Sequence, residues 1–72
     1  MAGYEEYLSE IGKKIHALRA ESGMSLRSFS LMSGVHYNQI LRIEKGEINP
    51  SIKTLYLISK GLDVDLKDLL PD

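Results

Sequence analysis

Seventy-two residues with no cysteine and a formal net charge of −1 bound this chain before any motif is read. A chain so short forms one domain (residues 1–72) with a small core, and the lack of cysteine excludes disulfides and thiolate metal sites. No apolar run approaches the roughly 20 residues of a membrane span and no secretory leader is visible, so an intracellular life is the simplest expectation.

Tyr4, Tyr7, Leu8, Ile11, Ile15 and Leu18 recur at helical spacing, which predicts a first helix from about Tyr4 to Ser22. Glu5 and Glu6 lie near its positive end, a favourable place for carboxylates. Gly12 lies inside it at a cost of about 1 kcal/mol relative to alanine, offset if it permits close packing. Gly23 ends the helix as a left-handed cap, and Met24 folds back on the core. Ser25 has the hydroxyl that an N-cap requires, and the second helix runs through Leu26 and Phe29, three apart on one stripe. Gly34 turns the chain, Val35 plugs the corner, and a third helix begins near His36 or Tyr37 with Ile40 and Ile43 facing inward. Its outward positions are Tyr37, Asn38, Gln39, Leu41, Arg42 and Lys45. A short helix with a dry face and a hydrogen-bonding face suits a DNA major groove.

Beyond Gly46, the segment Glu47-Ile48-Asn49 leads to Pro50 and Ser51, which start a fourth helix with Ile52, Leu55, Ile58 and Leu62 as its inner stripe. Gly61 and Asp63 mark its end. Asp65 then caps a short fifth helix, with Asp68 three residues on in a capping-box arrangement, and Pro71 stops it. Strand-like alternation is missing, so the expected fold class is all-α, five helices with short connections. Leu31, Leu41 and Leu57 fall where these stripes turn outward.

The ordered set Leu26-x-x-Phe29-Ser30-x-x-x-Gly34-Val35-x-x-x-x-Ile40-x-x-Ile43-Glu44-x-Gly46-x-x-x-Pro50-Ser51 resembles the Cro/phage-repressor (Xre-type) helix-turn-helix family over about residues 11–70, with the motif at 25–46. The resemblance implies a lambda-repressor-like DNA-binding domain whose helices two and three form the helix-turn-helix. It also implies a bacterial or phage regulator in the cytoplasm, on the nucleoid. One departure is Ser30, where the family usually has alanine; a small residue still lets the helices approach. A second is Glu47 and Ile48, where basic residues are common after the glycine, which removes phosphate contacts and makes binding salt-sensitive.

By that resemblance the bases are read by Tyr37, Asn38, Gln39 and Arg42. Arg42 can donate twice to guanine, Asn38 can pair with adenine, Tyr37 can touch a thymine methyl or bond a phosphate, and Gln39 can reach either. Leu41 can meet a thymine methyl or a protein partner, and His36 is read first as an imperfect N-cap and only then as a contact. Ser25, Arg27, Lys45, Asn49 and Lys53 are the expected phosphate anchors. The family pattern also pairs Arg19 with Glu44 in a structural salt bridge that ties helix three to helix one. It places dimer contacts toward helices four and five, so Leu57, Leu66 and Leu70 are the expected homodimer surface.

The charge distribution agrees with this placement. Glu5, Glu6 and Glu10 make the start acidic, and Asp63, Asp65, Asp68 and Asp72 against Lys67 do the same at the end. Residues 11–62 carry eight lysines and arginines against only Glu21, Glu44 and Glu47. Enzymatic chemistry is not expected: there is no paired-carboxylate pocket, nucleophile–base arrangement or glycine-rich phosphate loop. His16 and His36 are far apart with no cysteine partner, so neither a metal nor a cofactor is implied. The expected function is a double-stranded DNA-binding transcriptional regulator, a repressor or autoregulator on a palindromic operator. The rival is a protein-interaction module of the same fold, partnered by a toxin or the transcription machinery, with weak DNA binding.

Overall fold

Short capped segments dominate the architecture. In the computed structural model, which describes residues 3–72, α1 spans Tyr4–Glu21, α2 Leu26–Ser33, α3 Tyr37–Glu44 and α4 Ile52–Leu62, and a 3-10 turn follows at Leu66–Leu69. No strand occurs among the described residues. The Ser25 and Ser51 hydroxyls accept from the Ser28 and Thr54 amides, each at 3.1 Å, satisfying donors that a first helical turn leaves open. Gly34, at φ 78°, supplies the left-handed residue that closes α2.

The expected fifth α-helix is instead the single 3-10 turn, so the described residues form four α-helices. The cause is lack of room. Asp63 already reverses the chain at φ 59°, and Pro71 pushes Leu70 into extended backbone at ψ 143°. The residues between can close tight bonds to the third residue but not a run of α-helical ones. Asp68 still accepts from the Asp65 amide at 3.1 Å, so the carboxylate that the capping pattern picks out does cap this turn.

Every element contributes to one core. Ile11 and Ile15 come from α1, Phe29 from α2, Ile40 and Ile43 from α3, Leu55, Ile58 and Leu62 from α4, with Val35 from the α2–α3 turn and Leu69 from the 3-10 turn. Burying each such side chain contributes about 1.5–3 kcal/mol. Two glycines let the helices approach. A Cβ on Gly12 would lie 2.3 Å from the Ile43 carbonyl oxygen and 2.5 Å from that of Glu44, and one on Gly61 would lie 2.8 Å from the Phe29 ring. Backbone therefore meets backbone where α1 crosses α3. Gly61 lies within α4 as a contact with α2 and does not mark its end; Asp63 does that.

Several apolar assignments change. Ile52 is 70% exposed rather than part of the inner stripe; four-residue steps put it on the face of Tyr56 and Lys60, away from Leu55 and Ile58. Leu57 is half-buried and packed on the core rather than turned outward. The reason is that α4 meets α2, α1 and the 3-10 turn, so its dry surface is wider than one stripe. Leu41 is likewise half-buried, whereas Leu31 is 83% exposed. Tyr4 and Tyr7 continue the spacing of α1 but stay exposed, because an 18-residue helix, about 27 Å long, outreaches the short helices it packs against.

Candidate nucleic-acid interface

The corner between α2 and α3 is held by side chains that the chain places locally. Ser33 Oγ accepts from the Val35 amide at 3.2 Å, and the Ser30 hydroxyl donates to the Val35 carbonyl at 2.7 Å. The serine at position 30 thus does more than stay small: it ties α2 to the turn. Buried Val35 fills the corner, and His36 Nδ1 accepts from the Asn38 amide at 3.3 Å, making the imidazole the N-cap of α3.

With Ile40 and Ile43 buried, α3 can turn only its other side outward. Tyr37, Asn38 and Arg42 are exposed there, while Gln39 sits half-buried at the edge of that face. Arg42 Nε lies 3.8 Å from Glu47 Oε1, a loose exposed pair, so its guanidinium keeps its forked donors largely available. Ser25, Arg27, Lys45, Asn49 and Lys53 are all exposed. Lys45 caps the end of α3, and Asn49 accepts a hydrogen bond from the Tyr4 hydroxyl, a tie with no local signature because 45 positions separate the partners. Leu57, Leu66 and Leu70 are half-buried against the core and offer little free apolar area.

Behind α3, Arg19 and Glu44 meet. Arg19 Nε donates to Glu44 Oε2 at 2.7 Å and Nη2 donates to Oε1 at 3.0 Å, while Nη1 reaches the Met24 carbonyl at 2.9 Å. His16 Nδ1 lies 3.0 Å from the same Glu44 Oε1. The Glu44 and Arg19 side chains are 5% and 12% exposed, the imidazole 60%. Burial alone would raise the Glu44 carboxyl, but hydrogen bonds from Arg19 and then His16, with their charges, bring it below the usual carboxylate value. The hydrogen bond to Glu44 raises Arg19 in turn, against a smaller opposing effect of burial. Since Glu44 is the last residue of α3, this clasp holds the helix end against α1. Sequence reasoning missed His16, although its place three residues before Arg19 puts both on one face.

Among the described residues no three His, Cys, Asp or Glu side chains gather as a metal site, and no helix is long and apolar enough to cross a membrane. The arrangement offers an exposed hydrogen-bonding helix, a capped helix start beside it and a buried, hydrogen-bonded clasp behind it.

Known proteins resemble this chain in sequence and in fold. The helix-turn-helix family profile HTH_3 matches residues 15–69. The chain is 32% identical over 56 residues to an uncharacterized HTH-type transcriptional regulator of Archaeoglobus fulgidus, covering 78% of this chain and 80% of that protein. It is 35% identical over 60 residues to the HTH-type transcriptional regulator SlrR of Bacillus subtilis, covering 82% of this chain but only 40% of SlrR. Among solved structures, a mutant of the restriction-modification controller protein C.Esp1396I superposes with a TM-score of 0.78 at 34% identity, covering 90% of this chain and 80% of that one.

Proposed function

This chain belongs to the Xre/Cro-like helix-turn-helix family of transcriptional regulators, and we propose that it reads a palindromic operator as a homodimer, presenting α3 to the major groove. The observation that supports this most is the two-sidedness of α3: Ile40 and Ile43 are buried while Tyr37, Asn38 and Arg42 stand exposed. Asn38 and Arg42 are the side-chain types that pair bidentately with adenine and guanine, and Tyr37 and Gln39 extend the reading face. Ser25, Arg27, Lys45, Asn49 and Lys53 hold the phosphates on either side, and these contacts set register without reading sequence. A single copy so small, with Glu47 among its anchors, binds weakly. A second copy on a half-site about 34 Å away makes the two contacts cooperative.

The regulator is a cytoplasmic repressor or autoregulator, and its class is non-enzymatic. A second reading is favoured by Leu31 and Met32, adjacent on α2 and 83% and 68% exposed: a protein partner, such as a toxin or a part of the transcription machinery, docks on the same fold. Selection of sites from a random duplex pool, followed by titration of the winner at several salt concentrations, separates the two. A palindrome with half-site centres one helical turn apart is the expected outcome. Recovery of no motif, with only weak binding that salt abolishes, overturns the operator reading in favour of a protein partner.

A further inference from the structure

The first turns of α1 lie outside the stretch matched by the family profile, which begins at residue 15. Two contacts join them to the loop between α3 and α4. The Tyr4 hydroxyl donates to Asn49 Oδ1. Further along α1, the backbone of Ser9 passes so close to Gly46 that a Cβ on that glycine would sit 3.0 Å from Ser9 Cα. Gly46 also adopts φ 72°, so both its space and its conformation favour glycine. The start of α1 therefore braces the loop that carries Asn49.

We propose that Tyr4 is a positioning residue for DNA binding, orienting the Asn49 amide so that its NH₂ group meets a phosphate of the duplex. This rests on the DNA-binding reading above. An asparagine amide has one accepting end and one donating end. With Oδ1 occupied by the tyrosine hydroxyl, the free end is the donor, the polarity that a phosphate oxygen requires. Asn49 is exposed and belongs to a connecting loop, so without the tether its side chain would be ordered only on binding, at an entropic cost. Two residues on, Ser51 caps α4, leaving the first free amides of that helix beside the same loop as a second anion-friendly group.

The substitution Tyr4→Phe removes only the hydroxyl. It should weaken binding to the selected operator and to an unrelated duplex by the same factor, about threefold to fivefold, as expected for one phosphate hydrogen bond made less often. The sequence preference and the melting curve should stay in place. In an Asn49→Ala background, adding Tyr4→Phe should cost nothing further, a coupling that a merely structural role would not produce. Unchanged affinity in Tyr4→Phe, or the same loss with and without Asn49, overturns the assignment while leaving the operator reading intact. A wild-type chain that binds no duplex at all removes both.

Discussion

The two sides of α3 are built on opposite terms. Behind the helix, Glu44 is held by both Arg19 and His16, and Gly12 lets the α1 backbone touch the α3 carbonyls. In front, Tyr37, Asn38 and Arg42 stand exposed, and the nearest charged partner of Arg42 is the loosely placed Glu47. A braced back and an uncommitted front suit the reading role proposed for α3. Its position must be set before binding, yet its hydrogen-bonding groups must not be spent inside the protein. Substitutions should therefore divide cleanly, with losses of stability behind the helix and losses of DNA affinity in front.

The largest effect is expected behind. Arg19→Ala leaves the buried Glu44 carboxylate with only the exposed imidazole beside it and should lower stability by about 3 kcal/mol, read from denaturant unfolding. An unchanged unfolding curve would break the contrast outright. The same pair sets a pH dependence. The Glu44 carboxyl is held below its ordinary value, so its contribution is fully present above the usual carboxylate range and is lost as pH falls through the folded-state value. The gap in stability between wild type and Arg19→Ala should accordingly narrow in acid. A gap that stays constant or widens would mean that Arg19 acts through something other than the Glu44 charge.

Next in size is Gly12→Ala. A methyl group there would lie 2.3 Å from the Ile43 carbonyl oxygen, so α1 and α3 must separate. The gain in helix propensity, about 1 kcal/mol, should be outweighed, for a net loss of about 2 kcal/mol. A more stable Gly12→Ala variant by thermal melting would show that the crossing has slack.

In front of the helix the readout changes. Arg42→Ala should cost about 2 kcal/mol of binding at one base position while leaving the melting curve in place. Lys45→Ala should produce the smallest effect, a similar weakening on all duplexes with the salt slope reduced by about one. Equal losses on every duplex from both variants would erase the division between reading and anchoring.

Local signals in the sequence foretold the fold closely. Serine at 25 and 51, glycine at 34 and proline at 71 act within a few residues of themselves through caps, positive φ and a missing amide, so their consequences can be read without knowing the neighbours. The inward placement of Phe29, Ile40 and Ile43 follows from spacing in the same way. Spacing was less able to judge the edges of a stripe. Ile52 sits where the dry face of α4 ends, and Leu57 sits where other elements widen it, and neither limit is written in α4 itself. The short last segment misled for a related reason: a capping pattern indicates where a helix starts but not whether the chain leaves room for one.

For the candidate interface, the residues of the α3 face were legible because they are one short helix with one dry side. The ties around that helix were not. Ser30 looked merely small and bonds the turn; His16 looked unconnected and completes the clasp on Glu44; Tyr4 looked like one more residue of a helical repeat and reaches Asn49. The helices α1 to α4, the serine caps of α2 and α4, the turn between α2 and α3 and the dry side of α3 are written in short stretches of the sequence, because these depend on dihedral preference and periodicity over a few residues. Three features exist only in the folded chain: the crossing at Gly12, the hold of Arg19 and His16 on the one carboxylate of Glu44, and the bracing of the loop after α3 by the start of α1. Each of those depends on which surfaces meet after the chain has folded back on itself, and contacts between residues 25 to 45 positions apart leave no periodic trace in either segment.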